Sequence, residues 1–202
     1  MLVADRLSGE KLRAELGQCT IGREIIVLEE TTSTNDVVLQ MANAGAPEGL
    51  VVFAEHQSAS RGQRGNVWES AAGKGLWLSV LLRPKVAISH PVKLAQRTAE
   101  IVATTIQGQF YLSATVKLPN DIYIDNRKVA GVLVEMRAQL KAPHLAVLGI
   151  GVNVNQMPHD FSEELRERAT SLAIARREPI DRSSFAVALL RNLDRFYRAG
   201  LL

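Results

Sequence analysis

The 202-residue sequence lacks several features that would each indicate a particular class of protein. It has one cysteine, Cys19, so no disulfide can form within the chain, which agrees with a reducing compartment. Its longest apolar runs are as long as a strand and much shorter than a membrane-spanning helix. The first residues include an acidic side chain and lack the apolar core of a signal peptide. These absences predict a cytoplasmic protein without a membrane span.

Charge of one sign is not concentrated in any part of the chain. The formal net charge is +3, and lysine and arginine are spread along the sequence. DNA-binding and RNA-binding domains usually show a concentrated basic patch, so we expect no DNA partner. Hydrophobic residues make up 47% of the chain and charged residues 22%, which is ordinary for a globular protein. The length fits a single domain over 1–202.

Hydrophobic periodicity predicts a mixture of helices and strands. Helices are expected over 5–16, 37–44, 91–107, a short charged piece within 161–168, 171–176 and 181–198. Strands are expected over 24–30, 50–55, 76–82, three pieces within 115–136, and 145–155. We therefore predict an α+β domain, in which a mixed, mostly antiparallel sheet is flanked by helices on one side.

One loop stands out because two arginines alternate with two glycines. Arg61 and Arg64 carry fixed positive charge, while Gly62 and Gly65 let backbone N–H groups come close to a ligand. This combination suits a phosphate or a carboxylate. Trp68 follows the loop, and its flat indole could cover an aromatic base. By itself the pattern also fits a solvated turn whose tryptophan starts the core of the next strand.

Two further patterns point to a ligand site. The segment 31–36 joins a strand to a helix and has five residues with hydroxyl or amide side chains, of types able to cap a helix, although a helix needs one cap. Gly131 lies inside a later strand, and Gly149 and Gly151 lie on one strand face followed by Asn153. Glycine inside a strand costs stability and often marks close approach of a ligand. These residues predict a trough with a polar end.

The sequence closely resembles the biotin protein ligases from about residue 25 to residue 155, because four motifs occur in the same order. The motifs are Thr32-Ser33-Thr34-Asn35; Gln57 with Arg61-Gly62-Gln63-Arg64-Gly65 and Trp68; Lys117-Leu118-Pro119-Asn120-Asp121 with Lys128 to Glu135; and Gly149-Ile150-Gly151-Val152-Asn153. These enzymes attach biotin to a lysine in the carrier domain of a biotin-dependent carboxylase. The resemblance implies a catalytic fold like that of class II aminoacyl-tRNA synthetases. It also implies activation of biotin by ATP and Mg²⁺ to biotinyl-5'-AMP.

The resemblance assigns roles to individual residues. Those that would contact biotin are Ser33, Thr34, Asn35 and Gln57 at the ureido ring, Gly131 and Leu133 at the bicycle and tail, and Arg61, Gly62, Gln63 and Lys128. Those that would contact ATP are Arg61, Gln63, Arg64, Trp68, Asn120, Lys128 and Asn153. Lys128 and Arg61 would be catalytic, with Lys128 bridging the biotin carboxylate and the α-phosphate. We expect positioning and charge to drive catalysis, and the sequence identifies no metal ligands.

The sequence departs from the family pattern in several places. Gln63 stands where the usual loop has an arginine, so we expect a weaker hold on the adenylate and a leakier intermediate. Leu118 replaces a usual tryptophan, which we interpret as a packing change. We expect neither an N-terminal winged helix nor a C-terminal SH3-like domain. The first expectation argues against repressor activity, and the second leaves open how ATP and the carrier are clamped.

Alternative functions stay open at this point. Lipoate or octanoate transfer by the same fold is the first, although those acids have no ureido ring to pair with the hydroxyls and amides of 33–35. A non-catalytic anion-binding or nucleotide-binding module is the second. An exposed sheet edge makes a homodimer plausible.

Overall fold

The computed structural model describes residues 6–84, 91–137 and 144–202. The helices are α1 (Gly9–Leu16), α2 (Thr34–Asn43), α3 (Pro91–Phe110), α4 (Leu172–Arg176) and α5 (Arg182–Arg198). The strands are β1 (Glu24–Thr31), β2 (Leu50–Gln57), β3 (Gly75–Leu82), β4 (Thr115–Lys117), β5 (Asp121–Ile124), β6 (Arg127–Arg137) and β7 (Leu145–Asn153). Two short 3₁₀ turns are Gln63–Gly65 and Pro158–Asp160. Among the described residues, no helix combines the length and apolarity needed to cross a membrane.

Side-chain caps fix where several helices begin. Ser8, Ser171 and Asp181 precede α1, α4 and α5, and each accepts a hydrogen bond from a backbone N–H in the first turn. Ser33 holds the same position before α2 in an extended conformation, but its side chain makes no capping hydrogen bond. The helix α2 begins at Thr34, three residues earlier than the periodicity predicts. The hydroxyl of Ser33 is therefore not used by the helix it precedes.

The strands form one sheet in the order β1-β2-β3-β7-β6-β5-β4. The strands β1 and β2 are parallel and joined through α2, while the other neighbours are antiparallel. The predicted mixed, mostly antiparallel sheet is thus confirmed. The strand β3 is buried along its whole length, which explains why its sequence is a nearly continuous apolar run.

Helices cover both faces of the sheet. On one face, α1, α3 and α5 pack over the main core, which includes Phe53 and Leu78. On the other face lies α2, where Val38 packs with Val52 and Leu81. The prediction that the helices lie on one side was wrong. The strand β2 has apolar residues at consecutive positions, so both of its faces need a cover.

The segment 162–168 forms turns instead of the predicted short helix. Its last backbone carbonyl, at Arg168, accepts a hydrogen bond from the N–H of Lys128, and the N–H of Thr170 donates to the carbonyl of Lys128. These two bonds form a parallel bridge between Lys128 and Ala169. Pairing with the start of β6 therefore holds the main chain of Lys128.

A buried ion pair anchors the end of β2. The guanidinium of Arg182, 1% exposed, donates to Glu55 Oε2 at 2.7 Å and to the carbonyl of Gly75 at 3.1 Å. The Glu55 carboxylate also accepts the backbone N–H of Leu7. Breaking such a pair leaves a buried charge without its partner, which typically costs about 3–5 kcal/mol. The pair thus fixes β2 just before the loop that carries Arg61.

Candidate active site

A cavity of about 350 Å³ opens on the face of the sheet that carries α2. Its walls come from the start of α2, the end of β2, the loop 58–70, the turn between β4 and β5, and the strands β6 and β7. The predicted site residues that line it are Ser33, Thr34, Asn35, Gln57, Arg61, Gly62, Gln63, Trp68, Asn120, Lys128, Gly131 and Leu133. Folding therefore gathers most of the predicted residues around one space.

Two predicted nucleotide contacts are not among the lining residues. Asn153 is buried at the end of β7, where its Nδ2 donates to the carbonyl of Thr170 and its Oδ1 accepts from Gln156 Nε2. The side chain of Arg64 lies outside the described part of the structure, and its main chain belongs to the turn Gln63–Gly65. Nucleotide contact by either residue stays a prediction.

The polar end of the cavity is built where β2 ends and α2 begins. Gln57 Oε1 accepts the backbone N–H of Thr34 at 2.8 Å and lies 3.1 Å from Thr34 Oγ1. The Gln57 amide is thereby oriented, and its Nε2 group is left to donate elsewhere. Ser33 is also buried, at 4% exposure, although its hydroxyl does not cap the helix. This end of the cavity is hydrogen-bonded in advance of any ligand.

Two residues behind the cavity wall complete the polar end. Ser79 on β3 is fully buried, and its Oγ lies 2.7 Å from Thr34 Oγ1 and also donates to Asn35 Oδ1. Glu135 on β6 accepts from Asn35 Nδ2 at 2.6 Å. Sequence reasoning missed Ser79. The available signal was one hydroxyl inside the apolar run 76–82.

A trough in the sheet lies next to the polar end. Gly131 on β6 and Gly151 on β7 are paired partners, and the indole of Trp68 lies against both. A Cβ atom at Gly131 would come within 2.9 Å of the Trp68 ring, and one at Gly151 within 2.8 Å. The structure therefore has the trough that the strand glycines predict, but Asn153, the amide predicted to form its polar end, does not line it, and the side chain of Trp68 lies in it.

The fit of Trp68 in the trough is incomplete. Its Nε1 is buried without a hydrogen-bond partner, and a buried, unpaired donor costs about 1–3 kcal/mol. Its ring meets that of Trp77 edge-on, with 6.2 Å between centroids. Because this N–H is unpaired, less free energy is lost when a ligand displaces the indole of Trp68 from the trough.

Arg61 is paired with carboxylates. Its two terminal nitrogens donate to Asp36 at 2.8 and 2.6 Å, and Glu135 lies 3.9 Å away. The hydrogen bond from Arg61 holds the pKa of Asp36 below its ordinary value. The same contact raises the pKa of Arg61, so the guanidinium stays charged. Arg61 is about two-fifths exposed and therefore open to an incoming anion.

Lys128 is likewise paired, at the opposite end of the trough. Its Nζ lies 2.7 Å from Asp121 Oδ1 and 5.2 Å from the centre of the Trp68 ring. Its side chain also passes Gly131, where a Cβ would meet Lys128 Cε at 3.4 Å. Asn120, next to Asp121, is held by donation from its Nδ2 to the carbonyl of Val132 at 2.8 Å. The cation of Lys128, on β6, therefore lies beside the trough and against the turn between β4 and β5 that Asn120 braces.

The arrangement can bind a ligand that has a polar ring at one end and an anion at the other. Within residues 6–84, 91–137 and 144–202, no group of three or more His, Cys, Asp or Glu side chains is placed to hold a metal ion. The cavity supplies hydroxyls, amides and two cations, which suits charge stabilisation.

A family model described as the biotin/lipoate A/B protein ligase family matches residues 27–153, more than half of the chain. The chain belongs to this family. The matched residues include every motif that lines the cavity.

Individual members of the family agree with this assignment. The chain is 36% identical over 193 residues to the bifunctional ligase/repressor BirA of Bacillus subtilis, covering 96% of this chain and 59% of that protein. It is 34% identical over 180 residues to the biotin--[acetyl-CoA-carboxylase] ligase of Mycobacterium tuberculosis. This match covers 85% of this chain and 63% of that protein. The chain thus spans about three-fifths of these relatives.

Solved structures in the same family share the fold. A biotin protein ligase from Aquifex aeolicus in complex with biotin and ATP has a TM-score of 0.72 and 29% identity, covering 86% of this chain and 72% of that one. A biotin protein ligase from Leishmania major in complex with biotinyl-5-AMP has a TM-score of 0.65 at 24% identity, covering 87% of this chain and 75% of that one. At this identity the likeness is one of fold alone. The sheet and its flanking helices are those of the biotin protein ligases.

Proposed function

We propose that this family member activates biotin with ATP and transfers it to a lysine of a carboxylase carrier domain. The observation that carries the proposal is the internally hydrogen-bonded polar end, built from Ser33, Thr34, Asn35, Gln57 and Ser79. A ureido ring offers one carbonyl acceptor and two N–H donors. The Gln57 Nε2 donor, the Thr34 hydroxyl oxygen and the free-standing Ser33 hydroxyl complement these groups.

The distance between the polar end and the cation supports a biotin-shaped ligand. Gly149, beside Asn35, and Gly151, beside Trp68, lie two residues apart on one face of β7, which is about 7 Å. Lys128 lies next to Gly131, the cross-strand partner of Gly151. An apolar bicycle and tail would run along this trough and place the carboxylate at Lys128. Lipoate and octanoate would leave the polar end without a partner, which is costly.

The proposed first step joins biotin to the α-phosphate. A biotin carboxylate oxygen attacks the α-phosphorus, the new C(O)–O–P bond forms, and the bond to pyrophosphate breaks. Negative charge gathers on phosphate oxygens in this step, and Lys128 and Arg61 would exchange Asp121 and Asp36 for these oxygens. Mg²⁺ would enter with ATP, since it is usually held by substrate phosphates and one or two carboxylates.

The loop tryptophan would have two positions. Biotin can occupy the trough only after the indole of Trp68 has left it. A displaced indole beside the anion loop would be placed to cover the adenine of the nucleotide. In the second step the carrier lysine amine would attack the carbonyl carbon of biotinyl-5'-AMP, forming the amide and releasing AMP.

A homodimer stays a prediction. The strands β1 and β4 are the two outer strands of the sheet, so a second copy would pair along one of them. Sedimentation of the purified chain tests this.

ATP–pyrophosphate exchange tests the proposed activation directly. The purified chain is given ATP and labelled pyrophosphate with biotin, lipoate, octanoate or no acid. We expect exchange with biotin alone. Exchange with lipoate or octanoate would assign the chain to the other branch of the family. Absence of exchange with every acid would contradict adenylation and leave an anion-binding or nucleotide-binding module.

A further inference from the structure

The amide of Asn35 is held from both sides by side chains behind the cavity wall. Its Oδ1 accepts from Ser79 Oγ on β3, and its Nδ2 donates to Glu135 Oε2 on β6 at 2.6 Å. Asn35 lines the cavity, whereas Ser79 and Glu135 do not. Packing against Gly149 prevents the amide from moving away, since a Cβ there would come within 2.5 Å of Asn35 Oδ1.

Glu135 selects one of the two possible orientations of this amide. An ionised carboxylate only accepts hydrogen bonds, so it requires the Nδ2 side of Asn35 to face it. The opposite orientation would set Oδ1 of Asn35 against the carboxylate as a second acceptor. With Nδ2 facing Glu135, the amide oxygen faces Ser79 and takes the single proton of that hydroxyl.

This orientation determines what Thr34 presents to a ligand. Thr34 Oγ1 lies 2.7 Å from Ser79 Oγ and 3.1 Å from Gln57 Oε1. Because the Ser79 proton goes to Asn35, it is not available to Thr34, whose own proton can go to Gln57 Oε1 or to Ser79. In both cases the Thr34 oxygen has lone pairs left to accept from an N–H group. One carboxylate thus sets the hydrogen-bond direction through Asn35 and Ser79 and leaves the Thr34 oxygen as an acceptor.

We propose that Ser79 and Glu135 are positioning residues that fix the donor and acceptor pattern offered to the ureido ring of biotin. The inference rests on the proposed function. Ser79 acts through Asn35 and Thr34, and Glu135 acts through Asn35, although its carboxylate also lies 3.9 Å from Arg61.

The test is the Kd of the full chain for biotin, measured by titration calorimetry without ATP. Glu135→Ala and Ser79→Ala are each expected to weaken biotin binding about tenfold, the scale of one unpaired buried polar group. Glu135→Gln is expected to recover part of the loss, because its amide oxygen can still accept from Asn35. The matched control is Glu100→Ala, which removes a carboxylate paired with Arg97 on α3 and should leave the Kd unchanged.

The deciding comparison repeats Glu135→Ala in an Asn35→Ala background. If Glu135 acts through Asn35 and not through Arg61, the substitution should then change the Kd by less than about twofold. Losses as large as in the wild-type background would overturn the inference, and so would an unchanged Kd in the single variants. If Ser79→Ala fails to fold, the comparison of the biotin Kd between Glu135→Ala and Glu135→Gln decides. A wild type that binds no biotin would overturn the proposed function and this inference together. A wild type that binds biotin, with additive losses, would overturn this inference alone.

Discussion

The two ends of the cavity differ in how complete they are before any ligand binds. At the polar end, Thr34 is hydrogen-bonded to Gln57, and Asn35 is hydrogen-bonded to the buried Ser79 and to Glu135. At the anion end, Lys128 lies against Asp121, and Trp68 lies where a ligand would pass. Arg61, which lies beside the polar end, is paired with Asp36. The difference indicates that recognition of the ring is preorganised, whereas charge stabilisation requires exchange of partners.

The largest effect is expected from removing the cation at the anion end. Lys128→Ala should lower the rate of ATP–pyrophosphate exchange at least ~100-fold, the scale of losing one oriented charge-stabilising group. Biotin affinity should change much less, because the polar end is untouched. The exposed Lys93 on α3 provides the control, and Lys93→Ala should match wild type. Exchange by Lys128→Ala within tenfold of wild type would show that the cation is not catalytic.

A methyl group in the trough tests whether both ends share one ligand. Gly151→Ala places a Cβ within 2.8 Å of the Trp68 ring, so the trough becomes too shallow. Overpacking of this kind costs about 1–3 kcal/mol, and we expect biotin affinity to fall about tenfold. Gly108→Ala on α3 is the matched control, because a Cβ there meets nothing within 4 Å. Equal affinities in titration calorimetry would place the biotin tail elsewhere.

Removal of the Trp68 indole should strengthen biotin binding, whereas a methyl group in the trough should weaken it. Trp68→Ala empties the trough, so biotin no longer competes with a side chain of the protein. Without ATP, the biotin Kd should fall about threefold to tenfold, because the competent state becomes the dominant one. Trp68→Phe, which keeps a ring without an N–H, should lie between the two. Weaker biotin binding by Trp68→Ala would show that the indole supports biotin instead of competing with it.

The smallest effect concerns the carboxylate that holds Arg61. Since the pKa of Asp36 is lowered in the folded state, its stabilising contribution is present above the unfolded pKa, about 3.9, and is lost as the pH falls through the folded value. The pair is substantially exposed, so Asp36→Asn should cost less than about 1 kcal/mol at pH 7. Urea unfolding should show this difference shrinking as the pH drops below 4. If the difference in unfolding free energy between Asp36→Asn and wild type grew as the pH fell, it would contradict the lowered pKa of Asp36.

The sequence predicted the strands well because their apolar periodicity is strong, and it predicted the cavity lining because four motifs carry it. It could not predict which face α2 covers, since β2 is apolar on both sides. The sequence also could not predict the carboxylate partners of Arg61 and Lys128. Asp36 and Asp121 lie in polar segments where every residue looks solvated. Only the fold brings Asp36 to Arg61.

The role of Ser79 was harder still to predict. Alternation within 76–82 shows which residues share a face, but not that the start of α2 lies over that face. The hydrogen bonds to Thr34 and Asn35 depend on contacts between α2 and β3, which no local pattern records.

The edge-on contact of Trp68 with Trp77 also makes the site optically visible. They are the only two tryptophans in the chain, so its intrinsic fluorescence originates in and next to the cavity. Trp77 is fully buried on β3 and would serve as a reference if Trp68 left the trough. Departure of Trp68 would separate the two emitters and expose one of them to water. Ligand entry would then shift the emission spectrum, and the speed of loop movement could be followed without any attached label.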